Sequence, residues 1–313
     1  MTLRRALTSV VAVTTLLLAS ACGGGDPLEE SGSGGDKGKV TLSGQNFTEM
    51  QILASLYEQL LEKEGYDVTQ KLVDTRPIYV KQLSSGAVQV APDYLAGIGD
   101  YLNTQQNGDT AEPVTSNSAD ESLDAIEPLV DKAGITLLQP AEATDQNAYA
   151  VTKKFADANS VKTLSDLAAL NKPIKLAAAK DCKDRQDCAK GLKSVYGIDI
   201  TEVVPLGFGS PQGKDALKKD EVQLAQVATT DGSLEGDGLV LLEDDKGLQP
   251  AQNLVPAVNT EWIEKNPDAK DALNSLSSKL TTEDLAELNA KVDSERQKPE
   301  DVAKEYLDAQ GLL

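Results

Sequence analysis

The sequence predicts an α/β protein of two similar lobes, each a mainly parallel sheet flanked by helices. Strand and helix patterns alternate from Val40 onward, which is the order of βαβ units. The segments Gly86–Ala91 and Asp220–Ala225 resemble each other, and each leads from a predicted helix through a strand to a turn with an aspartate. Ligands of open α/β sheets lie outside the carboxyl ends of the strands. We therefore expect Asp93–Tyr94 and Thr229–Asp231 to face each other across a cleft.

The first lobe is predicted from a strand at Val40–Ser43 and a helix that begins at Thr48. Gln51 follows Thr48 at the spacing of a capping box, and Gly65 suits the position just past the helix end. Apolar periodicity gives the other elements of this half. They are the strands Asp67–Val73, Val88–Ala91 and Ile135–Leu138 and the helices Pro77–Leu83 and Ser122–Lys132.

The second lobe is predicted to begin with a strand at Ala148–Val151. Thr163 and Asp166 have the spacing of a helix cap, and Gly197 suits the end of a later helix. The remaining predicted elements are the strands Ile174–Ala178 and Val222–Val227 and the helices Ala189–Tyr196 and Lys214–Lys219.

The C-terminal tail is predicted to be helical and to return to the first lobe. Thr282 is expected to cap one helix, Trp262 precedes an earlier one, and Tyr306 lies in the last. The chain then crosses twice between the lobes, and the crossings form a hinge. The predicted boundaries are 40–146 with 250–313 for lobe I and 147–249 for lobe II.

The N-terminal residues have the pattern of a secretory signal peptide. Arg4 and Arg5 precede a short apolar stretch, and small residues lead into Cys22. The pattern looks like a lipobox, in which Cys22 is lipidated and becomes the mature N-terminus; a plain signal peptide is the alternative. We expect residues 1–21 to be removed and the Gly- and Ser-rich residues 22–39 to form a flexible tether. The protein is then expected on the outer face of the bacterial cytoplasmic membrane, held by a lipid anchor.

Composition limits the possible functions. The net charge of −20 argues against nucleic acid and anionic lipid as partners. Because the chain has no histidine, Ser-His-Asp and Cys-His catalysis are excluded, and we expect no metal and no cofactor. Cys182 and Cys188 are expected to form a disulfide in an exported protein, and a zinc site built on these two cysteines is disfavoured.

Several short segments stand in order along residues 40–313: Asn46–Glu49, Asp93–Tyr94, Asn147–Tyr149, Thr163–Leu167, Arg185, Thr229–Asp231, Leu242–Asp245 and Pro256. Together they resemble the glycine betaine/choline-type (quaternary amine, osmoprotectant) solute-binding proteins of ABC transporters. The resemblance implies a two-lobed, type II periplasmic-binding-protein-like fold with a hinge. It also implies an aromatic cage for a quaternary ammonium group in the cleft, and ABC permease and ATPase subunits as partners.

The resemblance also suggests roles for individual residues. Tyr94 and Tyr149 match two tyrosines of the cage, and Arg185 matches the arginine that pairs with a ligand carboxylate. Asn147 takes the polar position two residues before the second tyrosine. A quaternary ammonium group has no N–H to donate, so ring faces recognise it, each contributing roughly 0.5–2 kcal/mol.

Three positions depart from the family pattern. Ala228 and Gln252 stand where aromatic residues are usual, and Gln45 stands where a basic residue is common. The loss of two rings would weaken binding of a simple betaine by roughly 10- to 1000-fold. A larger or more polar solute is therefore the alternative ligand. The residues expected at the site besides those above are Asn46, Thr230 and Asp231.

An enzyme and a ligand-sensing lipoprotein are the alternative classes of protein. Asp93, Asp231 and the pair Asp244–Asp245 could act as general acids or bases. Carboxylates are so frequent in this chain that such pairs are expected by chance, and we expect no enzymatic activity. Neighbouring genes for an ATPase and a permease would separate an importer from a sensor.

Overall fold

The computed structural model describes residues 37–313, whose strands form two five-stranded sheets. The strands in chain order are β1 (Lys39–Gln45), β2 (Asp67–Val73), β3 (Val90–Tyr94), β4 (Ile135–Leu137), β5 (Asn147–Thr152), β6 (Ile174–Ala178), β7 (Ile200–Pro205), β8 (Leu224–Ala228), β9 (Leu239–Leu242) and β10 (Leu254–Asn259). The first sheet has the order β2-β1-β3-β10-β4, and the second has the order β7-β6-β8-β5-β9.

Both sheets follow one topology. Strands β1, β2 and β3 run parallel, and so do β6, β7 and β8. The fourth strand of each sheet is antiparallel to both of its neighbours; it is β10 in the first sheet and β5 in the second. The predicted fold of two mainly parallel α/β lobes is confirmed.

Helices cover both sheets. Those of the first lobe are α1 (Thr48–Lys63), α2 (Arg76–Ser84), α3 (Leu95–Asn107), α4 (Ala119–Ala133), α9 (Thr260–Ile263), α10 (Pro267–Ser277), α11 (Thr282–Asp293) and α12 (Pro299–Ala309). Those of the second are α5 (Lys153–Asn159), α6 (Leu164–Ala169), α7 (Ala189–Gly191), which continues as a π turn over Leu192–Tyr196, and α8 (Pro211–Lys218). Between residues 37 and 313, no helix is both long and apolar enough to cross a membrane.

The repeated segments found in the sequence occupy equivalent places, since each ends on the first two residues of its strand, β3 or β8. In the first, the Gln89 side-chain oxygen accepts the N–H of Thr41 at 2.8 Å, and the Gln89 N–H donates to the Thr41 carbonyl at 2.9 Å. In the second, Gln223 makes the same two bonds with Lys175, at 3.1 and 3.0 Å. The repeat is therefore one structural motif, in which a glutamine just before the third strand of each sheet forms two hydrogen bonds with the neighbouring strand.

Two of the predicted helix caps were wrong. Phe47 is the N-cap residue of α1, and the Thr48 hydroxyl donates to Asp293 at 2.8 Å instead of closing a capping box with Gln51. In the tail, Thr281 and not Thr282 caps α11. The cap predicted at Thr163 and Asp166 is confirmed as a reciprocal capping box.

The lobes are joined where the chain crosses between the sheets. Gln146 and Thr229 exchange two bonds, because the Gln146 N–H donates to the Thr229 hydroxyl and the Thr229 N–H donates to the Gln146 carbonyl, both at 3.0 Å. At the second crossing, the Asp145 N–H donates to the Gln252 carbonyl at 3.2 Å. The lobe boundaries predicted near these residues stay a prediction.

A further contact between the lobes depends on Gly232. This residue follows β8 and lies against α11 of the first lobe. An added Cβ would collide with the Ala286 carbonyl oxygen and would lie 2.7 Å from the Ala290 nitrogen. The loop and the helix can therefore approach this closely only at a glycine.

We expect Gly232→Ala to lower the free energy of unfolding by about 1–3 kcal/mol, because backbone atoms of α11 would have to move. Gly236→Ala is the matched control, since its added Cβ would lie 3.6 Å from the nearest backbone atom, an ordinary contact. Urea unfolding of the two variants measures the difference. Equal stability of both variants would contradict the close packing.

Candidate functional site

A polar cleft of about 700 Å³ lies between the lobes. The first lobe lines it with the start of α3 and the loop before α4, and the second lobe lines it with residues 185–187 and 247–249. Ten of the eighteen lining residues have amide, hydroxyl or charged side chains, the rest are apolar residues or glycine, and none is aromatic. Its predicted members are Arg185 and Gln252, and the side-chain oxygen of Gln252 accepts the Gly97 N–H at 3.0 Å.

Arg185 lies in a loop closed by the predicted disulfide between Cys182 and Cys188, which is confirmed. Its guanidinium pairs with both oxygens of Asp187; the bond from Nε to Oδ1 is 2.9 Å long. Asp181 adds a weaker contact at 3.7 Å. The arginine therefore lines the cleft, and a carboxylate of the protein already neutralises it. Its pairing with a ligand carboxylate stays a prediction.

Asp187 also binds two further predicted residues of the second lobe, Asn147 and Tyr149. Asn147 donates from Nδ2 to the Asp187 carboxylate at 2.9 Å, and Gln226 donates to the oxygen of the same amide at 3.1 Å. The Tyr149 hydroxyl donates to the Asp187 carbonyl at 3.1 Å. Asn147 and Tyr149 line a smaller cavity of about 290 Å³ and not the polar cleft.

Tyr94 and Tyr149 lie in the cores of different lobes. Tyr94 packs with residues of α1 and the C-terminal helices, and its hydroxyl donates to Glu49. Burial, together with the negative charge of Glu49, holds the pKa of the Tyr94 hydroxyl well above its usual value. The expectation that both phenol rings line one cleft does not hold for this structure, because each ring is covered by the helices or the loop on its own sheet.

A second cavity of about 500 Å³, the acidic pocket, also lies between the lobes. Three predicted residues, Ala228, Thr230 and Asp231, line it. The other two predicted residues, Gln45 and Asn46, line neither this pocket nor the polar cleft. Gln45 is half-buried at the end of β1, while Asn46 is exposed and accepts a hydrogen bond from Gln51 at 2.9 Å.

Three carboxylates that line the acidic pocket, those of Glu49, Asp145 and Asp293, were not predicted as site residues. Glu49 is buried at the start of α1, and Asp145 is half-buried at the crossing between the lobes. Burial and the nearby charge of Glu49 raise the pKa of Asp145 to about 7. Glu49 belongs to a segment that resembles the family, but no local pattern marks Asp145.

The carboxylates considered as possible catalytic groups all have structural partners. Asp93 is fully buried and pairs with Arg76 at 3.0 Å, and Asp231 pairs with Lys214. Asp244 accepts the N–H groups of Leu248 and Gln249, and Asp245 accepts that of Ser165. These contacts give the four residues structural roles. Asp93 and Asp231 form ion pairs, and Asp244 and Asp245 accept backbone N–H groups in loops.

Comparison with known proteins agrees with the fold and gives the family. The family described as the substrate binding domain of ABC-type glycine betaine transport system matches residues 38–309. A glycine-betaine-binding protein of Pseudomonas aeruginosa is 26% identical over 289 residues, with 88% of each chain covered. The carnitine transport binding protein OpuCC of Listeria monocytogenes is 26% identical, with 96% of this chain and 95% of that protein covered. The crystal structure of a glycine betaine/carnitine/choline ABC transporter protein has a TM-score of 0.77 at 23% identity, covering 88% of this chain and 98% of that one.

The raised pKa of Asp145 predicts a pH dependence of stability. Because the folded protein holds this proton up to about pH 7 and the unfolded chain releases it near pH 4, stability is lost as pH rises through that window. Asp145→Asn keeps the hydrogen bond from Thr230 but has no proton to release. We expect it to make the fall in the free energy of unfolding across this pH range smaller by roughly 1–3 kcal/mol. Urea unfolding at several pH values measures this difference.

The control is Asp124→Asn on the exposed side of α4. Its stability should depend on pH as that of the unmodified protein does. An equal change in both variants would contradict the role assigned to Asp145.

Proposed function

Because the chain belongs to the family of substrate-binding domains from ABC-type glycine betaine transport systems, we propose that it captures a small solute between its lobes for an ABC importer. The observation that carries the proposal is the polar cleft, to which both lobes contribute. A solute bound there touches both lobes at once, so binding favours lobe closure. The closed form is what a permease with its ATPase would recognise.

The proposal includes export and lipid anchoring. Cys22 is the expected lipidation site and residues 1–21 the signal peptide, both of which lie outside the described residues. A lipid at Cys22 and the tether that follows it would keep the protein on the outer face of the cytoplasmic membrane, near its permease.

The solute is proposed to be a quaternary amine or osmoprotectant, such as glycine betaine, choline or a relative. Similar proteins carry names with glycine betaine and carnitine, which supports this class. The lining of the polar cleft supports the alternative of another polar solute, because it offers amides and hydroxyls and no aromatic ring. A ligand-sensing lipoprotein would use the same cleft without a permease.

A thermal-shift screen over quaternary amines, amino-acid derivatives and polyols tests the function. A true solute at a hundred times its Kd should stabilise the protein by about 2.7 kcal/mol. It should also reduce the radius of gyration in small-angle scattering, because the lobes close. Glycine betaine and choline should stabilise less than a better-fitting solute. Turnover of a bound compound, or binding without compaction, would contradict the proposed role.

Asp187 should control whether a solute carboxylate can use Arg185. We expect Asp187→Asn to raise the affinity for glycine betaine about tenfold, or about 1.4 kcal/mol, because the guanidinium loses its internal counter-ion. The affinity for choline, which has no carboxylate, should stay the same. Isothermal titration calorimetry with both solutes measures the change.

The matched control for this test is Asp181→Asn. Asp181 is the more distant and more exposed carboxylate beside Arg185, at 3.7 Å. Its removal should change the affinity for glycine betaine less than twofold. Equal effects of both substitutions would show that Asp187 does not occupy the place of a solute carboxylate.

A further inference from the structure

The two lobes touch beside the polar cleft at Asn117 and Gly247. Asn117 is an exposed residue of the loop before α4, and Gly247 lies on the turn that follows β9. A Cβ added to Gly247 would lie 1.9 Å from Nδ2 of Asn117 and 3.0 Å from its Cγ. The Asn117 amide therefore occupies the space that any side chain at position 247 would need.

The first lobe holds Asn117 in a fixed place. Asp100 on α3 accepts a hydrogen bond from the Thr115 hydroxyl at 2.8 Å. The Ser116 N–H donates to the hydroxyl of a serine on α4 at 3.0 Å. Ser118 on the other side of Asn117 caps α4, because its hydroxyl accepts an N–H of the first turn. Both chain neighbours of Asn117 are thus attached to the helices of the first lobe.

The second lobe holds Gly247 with the same firmness. Its φ of +61° lies in the left-handed region, and its N–H donates to the Asp244 carbonyl at 3.0 Å. The Asp244 carboxylate accepts the N–H groups of Leu248 and Gln249 at 2.9 and 2.8 Å, and the Tyr196 hydroxyl donates to it. The contact therefore joins two segments that are each bonded to their own lobe.

The contact lies close to the axis about which the lobes can turn. Gly247 precedes Gln252 of the second crossing by five residues. The Ser116 carbonyl, beside Asn117, accepts the N–H of Ala251 at 2.8 Å. When two lobes rotate about a hinge, a small gap near the hinge becomes a larger gap at their far ends. A steric contact at this place therefore controls the angle between the lobes.

We propose that Asn117 and Gly247 form a hinge stop, a steric contact that sets the angle at which the lobes finish closing. Glycine at position 247 lets the lobes approach to this angle, and the amide of Asn117 prevents them from turning further. The inference rests on the proposed function, because the closing angle of the polar cleft determines how long a solute stays inside. It adds a residue pair that acts on closure without touching the solute.

A cross-link tests the contact without any solute. The added Cβ of residue 247 lies 3.3 Å from the Asn117 Cβ, close to the roughly 3.5–4.5 Å that separates the Cβ atoms of a disulfide. Asn117→Cys combined with Gly247→Cys should therefore form a disulfide in the mature protein under mild oxidation. Mass spectrometry of a protease digest would find one peptide that joins the two positions.

The matched control combines Asn117→Cys with Gly238→Cys. Gly238 is an exposed glycine of the second lobe with a φ of +68°, and its added Cβ would meet nothing within 4 Å. This pair should not cross-link. Absence of the disulfide between positions 117 and 247, or its formation to the same extent in the control, would overturn the hinge stop.

Gly247→Ala tests the effect on solute retention, with glycine betaine as the probe. The added Cβ would hold the lobes apart, so a smaller fraction of the protein closes, and the affinity should fall about tenfold, mostly through faster dissociation. Gly238→Ala has the same backbone strain without the collision and should change the affinity less than about twofold. Stopped-flow fluorescence and isothermal titration calorimetry measure both quantities.

A second substitution at Asn117 separates a stop from a direct solute contact. Adding Asn117→Gly to Gly247→Ala removes the obstructing amide and should restore the affinity to within about twofold of the unmodified protein. An affinity no higher than that of Gly247→Ala alone, or equal effects of Gly247→Ala and Gly238→Ala, would overturn the hinge stop. If the unmodified protein does not bind glycine betaine, the proposed solute is wrong, and the cross-link alone decides whether the stop exists.

Discussion

The two chain crossings hold the lobes together, and both inter-lobe cavities depend on them. Thr144 and Asn253 pair as an isolated antiparallel bridge beside the bond between Asp145 and Gln252. The crossings give Asp145 to the acidic pocket and Gln252 to the polar cleft. A change in the angle between the lobes therefore changes the shape of both cavities in one motion. Binding at one cavity can thus alter the affinity of the other.

Most of the fold could be predicted because its signals are local. The repeated glutamine at positions 89 and 223 hydrogen-bonds only to the neighbouring strand. The similarity of the two lobes is therefore visible in a segment of six residues. Helix α3 was missed since it begins directly after β3 without a side-chain cap. Strand β3 runs further than predicted, through Pro92, because Pro256 faces it across an antiparallel pair and neither residue has an N–H to satisfy there.

The candidate site was predictable in some of its residues but not in their partners. Arg185 was expected to be available to a ligand, and Asp187 stands only two residues away. No pattern in the sequence tells whether such a carboxylate turns toward the arginine or toward solvent. In the same way, the bond from Tyr94 to Glu49 joins residues 45 positions apart and depends on how α1 packs on its sheet. Which side chains pair with each other depends on the tertiary structure, and the pairing determines which charged groups a ligand contacts.

The disulfide between Cys182 and Cys188 surrounds the segment that carries Arg185 and Asp187. Long charged side chains ordinarily lose rotamer freedom when a ligand arrives, at about 0.5–1.5 kcal/mol each. Here the cross-linked loop and the arginine–aspartate pair restrict that freedom when the protein folds. This wall of the cleft is therefore preorganised, and an incoming solute exchanges partners with groups that are already in place.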